Sequence, residues 1–134
     1  MELIYCLNDL QVERLHQLYL SSWWAKDRSL EETRCCVAGS QICIGLTDAT
    51  GYLIGFARVV TDYTFKALIF DVIVDESYQG QGYGQQIMEA ICNHSDLERV
   101  KHFELYCLPE MASFYEPFGF TDKVGNISLM RRAK

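Results

Sequence analysis

Between a strand-like run and a helix-like run, the segment Val74-Asp75-Glu76-Ser77-Tyr78-Gln79-Gly80-Gln81-Gly82-Tyr83-Gly84 places three glycines at alternate positions. Without Cβ atoms, such residues let the backbone curl through positive φ and gather successive N–H groups around an anion. The following helix adds its own unpaired N–H groups and the positive end of its dipole. A diphosphate fits that description, and a glycine-rich turn without a ligand is the competing reading. No Gly-Lys-Ser/Thr follows, so this is not a Walker A loop, and the spacing departs from the GxGxxG of dinucleotide folds.

Other side chains with chemical potential are scattered. Asp71 is the one acidic residue that interrupts the apolar run ALIFDVIV, which ends at Asp75. It is either a functional carboxylate or a hydrogen-bonded residue pinning a strand bulge. Trp23 and Trp24 precede Lys26, Asp27 and Arg28; an aromatic wall there could meet an amine by cation–π attraction, or the rings could pack in the core or at its rim. Arg58, inside an apolar strand, either faces solvent or completes a pocket. The six cysteines form no CxxC pair, and His16, His94 and His102 lack metal-ligand spacing, so free thiols and no metal are expected.

The elements that must position these residues follow from periodicity. Residues 8–20 carry Val12, Leu15 and Tyr19 on one helical face, with Asn8 or Asp9 as cap, and Ser29 with Glu32 forms a capping-box pattern for a second, shorter helix. From Gln41 the period shortens: QICIGLTD, a DATG turn and YLIGFARVV predict a hairpin, and ALIFDVIVD a third strand. QQIMEAICNH has a helical apolar stripe. Residues 103–108 read as a strand stopped by Pro109, MASFYEPF as a short helix broken by Pro117, and residues 126–131 as a strand closing the sheet. This α+β order contains one parallel βαβ crossover.

The chain of 134 residues, 49% hydrophobic and 22% charged, suits a single domain spanning 1–134. Twelve basic against eighteen acidic residues give a net charge of −6, which disfavours a nucleic-acid backbone as partner and leaves a cationic amine as a sensible one. No long apolar run or basic leader is visible, so no membrane association and a cytoplasmic location are expected.

The glycine loop resembles the pyrophosphate motif of the GCN5-related N-acetyltransferases (GNAT superfamily), Arg/Gln-x-x-Gly-x-Gly/Ala, with Gln79, Gly82 and Gly84 in the defining positions. Glu110-Met111-Ala112-Ser113-Phe114-Tyr115-Glu116-Pro117-Phe118-Gly119-Phe120 is similar to that family's closing motif, with Glu110 where many members have asparagine. The resemblance covers residues 54–120. It implies a GNAT-like mixed, mostly antiparallel sheet flanked by helices, with splayed parallel strands, and acetyl-CoA as the donor. The diphosphate would lie on Gly80, Gln81, Gly82, Tyr83, Gly84 and Gln85, with Gln79 in the motif, and the pantetheine arm along the backbone of Val72, Ile73 and Val74. Tyr115 matches the tyrosine that protonates the leaving thiolate. Asp71 becomes the candidate base, with Glu104 in reserve, and Trp24 and Arg58 candidate substrate contacts.

The resulting expectation is direct acetyl transfer to the primary amine of a small molecule in a ternary complex, with a homodimer left open. A covalent route through Cys107, a non-catalytic CoA-binding sensor or accessory domain, and a protein lysine or N-terminal acetyltransferase are the alternatives.

Overall fold

The computed structural model describes residues 1–134. Five strands form one sheet in the order of the chain: β1 (Glu2–Ile4), β2 (Ile42–Thr47), β3 (Leu53–Thr61), β4 (Lys66–Val74) and β5 (His102–Leu105). All neighbours are antiparallel except β4 and β5. The helices are α1 (Asp9–Leu20), α2 (Leu30–Ala38), α3 (Tyr83–Cys92) and the single turn α4 (Ala112–Tyr115). Both expected capping boxes form. Asn8 and Gln11 bond reciprocally at α1, and Ser29 and Glu32 do so at α2, satisfying N–H groups that a helix start leaves unpaired.

Alternation along the strands gives each face of the sheet its own apolar layer. Ile44, Leu46, Ala57, Val59 and Ile69 meet Ile87, Met88 and Ile91 of α3. On the other face Cys43, Phe56 and Ile73 meet Leu15, Leu18 and Tyr19 of α1. The α3 crossover is what permits β4 and β5 to run parallel.

The alternation of β4 is broken once. Arg58 pairs with Phe70 and Phe56 with Ile73, so β4 uses three steps where β3 uses two. The extra residue makes a β-bulge. Ala67 and Ile69 face α3 before it, whereas Val72 and Val74 do so after it. Asp71 takes the strain at φ +59°, in the left-handed region that L residues seldom occupy. Three side chains hold it there: Arg28 donates through Nη1 and Nη2 (2.7 and 3.2 Å), Arg58 through Nε (2.7 Å) and the Tyr19 hydroxyl at 2.9 Å.

Two expectations need correction. Residues 126–131 do not form a strand; every residue from Thr121 onward is exposed, with Ile127 73% and Leu129 62% accessible. Alternation makes a strand only when a neighbour supplies hydrogen-bonding partners. The open edge here is the four-residue β5, which ends three residues short of the expected Leu108. Conversely, β1 was not predicted, because three residues are too few to show a period.

Asp71→Asn keeps the shape but removes the charge between two guanidiniums, and is expected to cost about 3 kcal/mol of folding stability at pH 7 in urea denaturation. Burial pushes the Asp71 carboxyl up, but the hydrogen bonds and charges of Arg28 and Arg58 outweigh it and hold it below the usual carboxylate range. Its contribution is therefore complete above the unfolded value of about 3.9 and fades as pH falls through the lower folded value. Equal stability of the two proteins at pH 7 would contradict this.

Candidate active site

The glycine segment leaves the end of β4 through a short 3-10 turn, Glu76–Tyr78, and enters α3 at Gly82. Gly80 (φ +78°) and Gly82 (φ +85°) supply the positive dihedrals, which turns the main chain back on itself before the helix. Gly82 offers no side-chain cap to α3. The N–H groups of residues 80–85 consequently donate to no protein acceptor, and the first internal bond of the helix runs from Gln86 to the Gly82 carbonyl (3.1 Å). Gln79 closes the base of the loop by donating from Nε2 to the Val74 carbonyl (3.0 Å). A side-chain methyl on Gly80 would meet open space. Six consecutive unpaired amides beside an open surface at a helix start suit a diphosphate.

Below the loop, β4 loses its parallel neighbour. Pairing with β5 runs from Lys66 with His102 to Ile69 with Leu105 and then stops, while β3 still pairs with β4 as far as Val74. The Asp75 N–H bonds to the Ile54 carbonyl of β3 (2.7 Å), which fixes the phase: Ile73 turns its main-chain groups to β3, while Val72 and Val74 turn theirs away from it to the gap side, where the Val74 carbonyl already accepts from Gln79. An extended amide-bearing arm could add there as a strand. Arg14 of α1 ties down this end of β4 by an ion pair with Asp75 and a bond from Nε to the Leu53 carbonyl (3.1 Å).

The closing motif comes against the same loop. A Cβ on Gly84 would lie 3.1 Å from the Phe114 ring, so glycine here allows α3 and α4 to approach. Phe114 stacks edge-on with Tyr115 (4.9 Å), which also meets Phe120 (6.2 Å). The Tyr115 hydroxyl bonds to no protein group, and since no buried side-chain polar atom lacks a partner, it reaches solvent. Burial, with a smaller effect from Cys107, pushes its pKa up to about 12, so it is a proton donor throughout the neutral range.

The bulge gathers Asp71, Arg58, Arg28, Tyr19 and Trp24. The Arg28 guanidinium stacks over the Tyr19 ring (4.6 Å) and faces that of Trp24 (5.4 Å), while Arg58 lies over Phe70 (4.9 Å). The expected ammonium position at Asp71 is thus filled by the chain's own guanidiniums. A carboxylate held below its usual range is a weak proton acceptor. Glu104 is engaged elsewhere, paired with Lys66 (2.8 Å) near the start of β4. Arg28 and Tyr19 were not singled out from the sequence as partners of Asp71. The readable signal was that Arg58 would lie across from the bulge in an antiparallel pair.

A family model described as an acetyltransferase (GNAT) domain matches residues 31–122. An uncharacterized N-acetyltransferase of Pyropia yezoensis is 31% identical over 115 residues, covering 84% of this chain and 66% of that protein. A solved GNAT-family protein from Xanthomonas campestris pv. campestris superposes with a TM-score of 0.83 at 28% identity, covering 100% of this chain and 94% of that one. An aminoglycoside 6'-N-acetyltransferase solved with coenzyme A shares the fold alone, with a TM-score of 0.60 and 18% identity over 69% of this chain and 53% of that one. The match spans 63–66% of the length of three curated red-algal relatives and only 26–39% of five curated plant relatives. Its family is established by the match over most of its length: the chain belongs to the GCN5-related N-acetyltransferases.

Proposed function

We propose that the chain transfers an acetyl group from acetyl-CoA to the primary amine of a small molecule, by direct attack in a ternary complex. The observation that carries this reading is the run of unpaired amides at residues 80–85 opening onto the gap where β4 has no parallel partner. The loop would bind the diphosphate and Val72 and Val74 the pantetheine amides. Main-chain groups would therefore make most of the donor contacts, leaving the side chains of β4 to shape the fold.

Acetyl-CoA supplies an acyl carbon activated by its thioester. As the neutral amine adds to that carbon, negative charge grows on the carbonyl oxygen, and the Val72 N–H, directed into the gap, is suited to receive it. The added nitrogen gives up its surplus proton to solvent, the carbon–sulfur bond breaks, and the Tyr115 hydroxyl gives its proton to the departing thiolate, regaining one from solvent. Asp71 acts in this reading by holding Arg28 and Arg58 in place, and the proton of the incoming ammonium leaves through solvent. The Cys107 route would need a base beside the thiol, and no base bonds to it.

Tyr115→Phe is expected to lower kcat by roughly 10²- to 10⁴-fold while the affinity for CoA changes little. Unaltered kcat would remove Tyr115 as the acid. Because its pKa lies near 12, kcat/KM should not fall between about pH 8 and about pH 10; a decline centred near the ordinary tyrosine value of about 10 that vanishes in Tyr115→Phe would contradict the burial assigned to it.

Gly82→Glu forces a side chain into a φ of +85° and sets a carboxylate before the loop amides. CoA binding should be lost in calorimetry with the fold intact by circular dichroism. Retained affinity would place the diphosphate elsewhere.

A further inference from the structure

The cluster at the bulge of β4 carries more positive charge than it neutralises. Two guanidiniums share the one carboxylate of Asp71, whose side chain is 6% accessible against 15% for Arg58 and 30% for Arg28. Arg28 directs both terminal nitrogens at Asp71; Arg58 directs Nε there and Nη1 to the Ser40 hydroxyl oxygen (3.4 Å). Nε of Arg28 and Nη2 of Arg58 are left without a protein acceptor. The remaining neighbours offset the charge only weakly: Glu32 acts on Arg28 from an exposed position, and Cys36 brings a thiol near both arginines. Tyr19 donates its hydroxyl to Asp71 and stays neutral, because burial and the Asp71 charge raise its pKa, and Trp24 has no charge. The carboxylates beside Arg28 in the chain, Asp27 and Glu32, are both exposed, and Glu32 is turned back to cap α2 at the Ser29 N–H (2.9 Å).

The excess is one unit, it is partly shielded from water, and it lies one residue from Val72, whose main chain faces the gap. Two like charges held around one carboxylate are stabilised by a second anion, and guanidiniums match a carboxylate edge geometrically. A monoanion would balance the cluster, a phosphate dianion would overshoot it, and a polyamine would meet a wall of its own sign.

We infer that the acceptor is an amino acid or another small amine bearing one carboxylate, and that Arg28 with Arg58 binds that carboxylate while the amine enters the gap. This rests on the transferase reading above. It narrows the expectation, drawn from the net charge of −6, that a cationic amine is a sensible partner, to amines that also carry a carboxylate. Arg28, the more accessible of the two and backed by the Tyr19 and Trp24 rings, is the specificity-determining residue.

The test is CoA release with matched acceptors: the common amino acids against their carboxamides, phosphoethanolamine against ethanolamine, and a simple diamine. More of a carboxamide's less basic amine is unprotonated at neutral pH, so a preference for the acid reports recognition. The expected result is a kcat/KM at least tenfold higher for the preferred amino acid than for its carboxamide. That ratio should fall at least tenfold in Arg28→Met and be partly restored in Arg28→Lys, which keeps the charge without the fork. The wild-type ratio needs no variant, so it decides the matter even where Arg28→Met folds poorly. Equal acetylation of acid and carboxamide, or preference for the diamine or the phosphate ester, overturns the inference and leaves the transferase reading standing. Binding of CoA with no acetylation of any amine overturns the transferase reading, and this inference with it.

Discussion

A single buried carboxylate shared by two guanidiniums sets the geometry on which everything else rests. Asp71 sits at φ +59°, a conformation that costs an L residue of order 1 kcal/mol or more. The ion pairs from Arg28 and Arg58, with the Tyr19 hydroxyl, offset that cost. They also join the α1–α2 connection to β3 and β4, so that one point of contact fixes three parts of the chain. The consequence is the extra residue in β4, which shifts the alternation so that Val72 and Val74 face α3 as Ala67 and Ile69 do.

Past this point β4 is a strand with one partner where an interior strand of the same sheet has two. An unpaired strand edge is ordinarily a liability. In the proposed reading it is the place where the donor's amide-bearing arm adds as another strand, with the loop above it binding the diphosphate. Main-chain recognition of this kind would explain how a donor could bind along a sequence such as Val72-Ile73-Val74 that has no polar side chain. It also separates the two halves of specificity. Backbone amides would recognise a donor common to a family, while the side chains around the bulge, Arg28, Arg58, Tyr19 and Trp24, would select the acceptor.

Those parts of the fold governed by local chemistry were legible in the sequence. Asn8 and Ser29 cap their helices as their side chains predict, the Asp48-to-Gly51 turn joins β2 and β3, and the glycines at 80 and 82 take the positive φ that their loop required. What escaped depends on distance along the chain. The partners of Asp71 lie 43 and 52 residues upstream, at Arg28 and Tyr19, and no periodicity connects them. The segment at residues 126–131 failed as a strand for the complementary reason: a suitable pattern found no neighbour. A carboxylate in an apolar strand announced that it needed partners; only the fold revealed that they were cations belonging to the chain itself.

The central claim, that β4 past its bulge and the loop above it bind the donor through main-chain amides, is tested most directly by amide chemical shifts. In a ¹⁵N-labelled protein titrated with coenzyme A, the N–H signals of residues 80–85, Val72 and Val74 should shift together along a single binding curve, with little change in β1 or β2. Shifts confined to other parts of the sheet, or a saturated complex in which the loop amides do not respond, would contradict it.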